Sequence, residues 1–152
     1  MNLSLGLAAQ VALAVAAGLA VAYQPGMNAK FAESAPHRIY GGVVSFFVGF
    51  AILAIIALLM RTPPIQVQKL TALPWWSWLG GTLGAFFVMT AIFLVPKMGT
   101  TTYVACMLAG QLVGSAIIDH FGHMGLTQHP FTLGRAIGIL LLGAGVACIK
   151  FL

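Results

Sequence analysis

Acidic residues are nearly absent. Asp and Glu together number 2 in 152 residues, and Asp, Glu, Lys and Arg make up only 6%. A soluble domain carries roughly 25% charged residues, so this chain has too little polar surface to face water. The same scarcity, beside 61% hydrophobic residues, excludes a disordered chain. Cysteine is also scarce. Cys106 and Cys148 both sit in apolar runs without metal-ligand spacing, and are expected to pack as small hydrophobes. The 7 Lys and Arg residues give a net charge of +5 but form no patch or stripe, which argues against a nucleic-acid partner. No His/Asp/Glu set has metal spacing, and no nucleophile–base arrangement or phosphate loop occurs. No cofactor and no enzymatic activity are expected.

Long apolar runs are abundant. A helix needs about 20 apolar residues to cross the bilayer. Five such runs fill the chain, at approximately 3–32 (kinked near Pro25), 38–60, 75–95, 100–121 and 132–151. They are continuously apolar rather than alternating, which favours helices over a barrel. The fold class is therefore all-α, a single transmembrane domain over 1–152. Residues 1–10 hold no Lys or Arg, so the first run reads as a retained helix and not as a signal peptide. Pro63 and Pro64 close the second run and Pro96 the third. Trp75, Trp76 and Trp78 mark an interfacial anchor at the start of the third.

Five spans place the termini on opposite sides. The N-terminal side then carries Arg61, Lys69 and Arg135, and the other side Lys30, Arg38, Lys97 and Lys150. Orientation follows the Lys/Arg bias of short loops, and here that bias almost vanishes. The balance points to insertion in both orientations and to an antiparallel homodimer. Ten helices would then form an inverted repeat with a midplane site. The small-residue pairs Gly80/Gly84, Gly110/Gly114, Gly134/Gly138 and Ser45/Gly49 suit tight helix packing, expected mainly within one chain. The pairs on the fifth helix, including Gly143/Ala147, are candidates for a dimer seam.

Polar residues at membrane depth are costly and often functional. Gln111, Ser115 and Asp119 recur every four residues and share one face of the fourth helix, with Tyr103 two steps earlier. Gln10, Gln24 and Asn28 fall within about 40° of one direction on the first helix. These faces are candidate walls of a substrate cavity, with Phe86, Phe87 and Tyr103 as its aromatic lining. Simple interhelical hydrogen bonding is the competing reading. Asp119 and Glu33 are the acidic candidates for ion coupling, against ordinary ion pairing. His120 and His123 are placed to shuttle protons.

The order and spacing of several segments carry a resemblance. They are Gln24-Pro25-Gly26-Met27-Asn28-Ala29, Val44-Ser45-Phe46-Phe47-Val48-Gly49, Pro74-Trp75-Trp76-Ser77-Trp78-Leu79-Gly80-Gly81 and Pro96-Lys97-Met98-Gly99. Ala109-Gly110-Gln111-Leu112, Asp119-His120-Phe121-Gly122, His129-Pro130 and Arg135-Ala136-Ile137-Gly138 follow. Over nearly its whole length the chain resembles the five-helix, YdcZ-like branch of the drug/metabolite transporter superfamily. The resemblance implies a bacterial inner-membrane transporter half working as a ten-helix pair. The expected function is secondary export of a small metabolite or drug-like compound by alternating access. The related small multidrug resistance proteins keep a glutamate in their first helix. This sequence has none there, so their proton-exchange site does not carry over. A passive channel and a non-transporting accessory subunit are the alternatives.

The charge balance makes a direct prediction. A single cysteine in the 63–73 connection, in a chain without Cys106 and Cys148, should be about half labelled by an impermeant reagent on intact cells. Full or absent labelling would show one fixed orientation.

Overall fold

In the computed structural model, residues 6–64 and 66–151 are described; the expected helix start at residue 3 lies outside them. The described residues form helices joined by short connections. The long ones are α1 (Leu7–Ser34), α2 (Ile39–Leu59), α4 (Gly80–Met98), α5 (Thr100–Phe121) and α6 (Leu133–Phe151). A short α3 (Val67–Thr71) lies between α2 and α4, and a 3-10 turn, Trp75–Leu79, leads into α4. All five long elements, the third counted from Trp75, are long and apolar enough to cross a membrane. The chain divides into two compact units, residues up to 97 and residues from 98 on.

One expectation about proline needs correction. Pro96 does not end the third span, because α4 runs through it to Met98. Proline removes one N–H and leaves the carbonyl four residues earlier unpaired, but one lost bond near a helix end does not unwind it. The stop comes at Gly99, with φ +80°, a conformation that favours glycine. Pro25 lies inside α1, which runs through it to Ser34, in keeping with the single first span read from the sequence. At 28 residues, α1 is about 42 Å long, more than the hydrocarbon thickness. The polar connection between the second and third spans contains α3.

The first unit is organised around Gly41 and Gly42, both buried at the start of α2. A Cβ on Gly41 would lie 2.6 Å from the Asn28 carbonyl oxygen, 3.0 Å from Ala32 Cβ and 3.3 Å from Ile92 Cδ1. A Cβ on Gly42 would touch Val88 at 3.4 Å. Further along, Phe46 of α2 lies over Gly84 of α4. Ala32, Val88 and Ile92 form the buried cluster at this crossing. The small-residue pairs singled out from the sequence mostly lack close contacts among the described residues. Of those pairs, Gly84 makes such a contact, whereas Gly49, Gly80, Gly110, Gly114, Gly138 and Gly143 face open space.

In the second unit α5 packs along α6. α5 ends at Gly122 in the left-handed conformation, its N–H donating to the Ile118 carbonyl, a common helix stop. Thr132 caps α6, its Oγ1 accepting the Arg135 N–H at 3.3 Å. The connection is tied down along its length. The His129 N–H donates to the Asp119 carbonyl at 2.8 Å, and Gln128 Nε2 donates to the Phe121 carbonyl at 3.3 Å. A Cβ on Gly122 would meet Gln128 Cγ at 2.6 Å.

The Gly41 crossing predicts a contrast between two glycines of one helix. Gly41→Ala should destabilise the chain by about 1–3 kcal/mol, because backbone at the contact has nowhere to go. Gly49→Ala should stay within about 0.5 kcal/mol. Unfolding of the purified protein in detergent micelles measures both.

Candidate functional site

The polar face of α5 and its neighbour α6 form the most developed site. Ser115 and Asp119 line a groove of about 220 Å³ with Leu112, Ala116, Arg135, Gly138 and Ile139. Asp119 Oδ2 accepts from Arg135 Nη2 at 3.2 Å, both side chains a little over one-third exposed. Arg135 Nη1 also donates to the His129 carbonyl at 3.0 Å. The guanidinium therefore fastens the connection to both helices. Ser115 Oγ donates to the Leu112 carbonyl at 3.0 Å. Gln111, one turn further into the span, is exposed, and its side chain has no partner among the described residues. Tyr103, at the other end of the face, is buried.

A larger, more apolar groove of about 630 Å³ runs beside it on the same two helices. Val113, Ile117, Phe121 and Ile139 line it together with His120 and Phe131. His120 Nδ1 accepts the Phe131 N–H at 3.2 Å. The His120 ring meets Phe121 edge-on at 4.7 Å, and Phe121 stacks on His123 at 5.5 Å.

The candidates on α1 are distributed along it. Gln10 is exposed, Gln24 half-buried and Asn28 buried. The shared face becomes covered only toward the C-terminal end of α1, where α2 approaches. Asn28 Nδ2 is buried without a hydrogen-bond partner. An unpaired buried donor costs about 1–3 kcal/mol, so this amide is a marked polar point in an apolar crossing. Phe86 is 71% exposed on α4. Glu33 pairs with Lys30 at 3.1 Å within the last turns of α1, and both side chains are well exposed. It borders an open hollow of about 460 Å³ with His37, Arg38 and Phe93, where the Arg38 guanidinium lies 5.9 Å over the Phe93 ring.

Thus Ser115 and Asp119 share one groove, while Gln10, Gln24, Asn28, Phe86 and Glu33 belong to the other unit. Sequence spacing did not single out Arg135 as a site residue. That His120 lines the apolar groove and accepts the Phe131 N–H was equally hidden. Both depend on how the 122–131 connection folds back, and spacing along α5 carries no trace of that.

Residues 9–148 match the family described as "Putative inner membrane exporter, YdcZ". The "Inner membrane protein YdcZ" of Escherichia coli (strain K12) is 26% identical over 145 residues, covering 95% of this chain and 94% of that protein. No solved structure matches the chain. With a match that runs through all five long helices, the chain belongs to the YdcZ family of inner-membrane exporters.

Proposed function

We propose that this multi-pass inner-membrane protein is a secondary transporter. It exports a small metabolite or drug-like compound by alternating access, as an antiparallel pair of identical chains. The observation that carries the reading is Gln111. It lies at the middle of α5, exposed and without a partner among the described residues. An amide facing hydrocarbon at that depth is unfavourable. It is best accounted for by a polar cavity or a second chain, and a midplane site between inverted halves supplies both.

The rest of the proposed site follows the same face. Ser115 and Asp119 continue the path toward one end of the span, and Tyr103 marks the other. Gln10, Gln24, Asn28 and Phe86 are proposed to contribute from the first unit. The near-even distribution of Lys and Arg supports insertion both ways. Both acids lie in ion pairs, so no spare carboxylate awaits a cationic substrate. This favours uncharged or anionic compounds.

Cells overproducing the chain should enrich particular small molecules in the medium, as measured by mass spectrometry. Gln111→Ala should reduce that enrichment about threefold to tenfold, the worth of a lost amide hydrogen bond in the site, while the pair still forms. Unchanged enrichment would remove Gln111 from the site.

Three Lys residues added to the 63–73 connection should bias insertion and reduce export. Coexpression of a copy biased the other way should restore it. Two inserted but inactive copies would overturn the antiparallel arrangement.

A further inference from the structure

We propose that the end of the first unit where α1, α2 and α4 meet binds one anionic phospholipid, its phosphate at Arg38 and an acyl chain in the groove between α2 and α4. The open hollow of about 460 Å³ at that end has Glu33, His37, Arg38 and Phe93 in its lining. An apolar groove of about 300 Å³ has Gly42, Phe46, Ala85 and Met89 in its own. The two are in register. Residues four apart lie above one another on a helix, and the Arg38 backbone is already helical. Arg38 therefore stands one turn above Gly42, and Phe46 follows. On α4, Phe93 stands one turn above Met89, and Ala85 follows. The hollow thus leads into the groove, polar where the span of α2 begins and apolar further along it.

Charge selects the headgroup. The chain has 2 acidic residues. Glu33 is engaged by Lys30 at 3.1 Å, and Asp119 by Arg135 at 3.2 Å. Arg38 and Lys97 are thereby left without a carboxylate partner among the described residues. Lys97 lies one turn beyond Phe93 on α4, so Lys30, Arg38 and Lys97 face the single carboxylate of Glu33 at this end. The Arg38 guanidinium lies 5.9 Å from the Phe93 ring centroid. Stacking of that kind orients its fork of donors, which matches a phosphate. His37 adds a donor to the hollow. Its Nδ1 accepts the Ile39 N–H at 3.3 Å, so the proton of the neutral ring sits on Nε2.

Basic pockets between membrane helices recurrently hold anionic headgroups. A soluble anion would satisfy Arg38 and leave the groove beneath it unused. A phospholipid serves both. Nothing in this site depends on what the protein exports.

The purified chain in dodecyl maltoside micelles is titrated with dioleoyl phosphatidylglycerol or dioleoyl phosphatidylcholine, and bound lipid is counted by native mass spectrometry. The phosphatidylglycerol should bind about tenfold more tightly. Arg38→Gln should remove most of that preference. Arg38→Lys, which keeps the charge without the fork, should remove part of it. Lys150→Gln, at the end of α6, should leave it intact. Ala85→Phe should fill the groove and weaken the dioleoyl lipid but not its short dihexanoyl counterpart. Equal affinity for the two dioleoyl lipids overturns the proposal, as does a preference that survives Arg38→Gln or falls equally with Lys150→Gln. Unchanged binding in Ala85→Phe places the acyl chain elsewhere and also overturns it. Displacement of the lipid by an equal concentration of glycerol 3-phosphate would mark a site for soluble anions, and the lipid proposal would fall.

Discussion

The approach of α2 to α1 at Gly41 is the constraint on which the first unit depends. Helices in lipid gain little by hiding apolar surface, since the surrounding acyl chains are as apolar as leucine. What remains is close contact of atoms, and close contact requires the absence of side chains. With hydrogen at Gly41, the α2 backbone can rest against the Asn28 carbonyl. That approach brings Ala32, Val88 and Ile92 into one buried cluster. It also encloses the Asn28 amide, so an unpaired donor follows from the same geometry that allows the helices to touch.

The second unit solves the association problem with hydrogen bonds. α5 and α6 are neighbours in sequence, and their connection is fastened by carbonyls, amides and one guanidinium. Arg135 acts at three places at once: the Asp119 carboxylate, the His129 carbonyl and, through its own N–H, the Thr132 hydroxyl. Each tie is exposed and weak by itself, but together they hold the connection at several points. This rigidity sets the two grooves beside each other, one polar and one apolar, with Ala116 and Ile139 common to both.

Much of the architecture was legible from the sequence. The apolar runs gave the five spans because span length is dictated by bilayer thickness. Pro96 misled because a single proline ends a helix only where later residues offer no further bonds, and here Gly99 makes the turn. The glycine pairs were only partly informative, for a related reason. Spacing identifies helix faces that can pack closely, but only the partner helix decides which are used, and α2 is used at Gly41 and Gly42. The α5 stripe was readable because Gln111, Ser115 and Asp119 share one period. Arg135 and His120 gained their roles from the fold-back of a loop, which has no period to read.

All three tryptophans of the chain lie in the turn that begins the third span. Indole rings prefer the headgroup boundary, so this turn behaves like a float that fixes the depth of one end of the molecule. In the proposed antiparallel pair the second copy would float its own turn at the opposite surface, so one short motif would set the depth of both faces. At 28 residues α1 is the longest helix, and it has length in reserve to tilt where the bilayer is thinner.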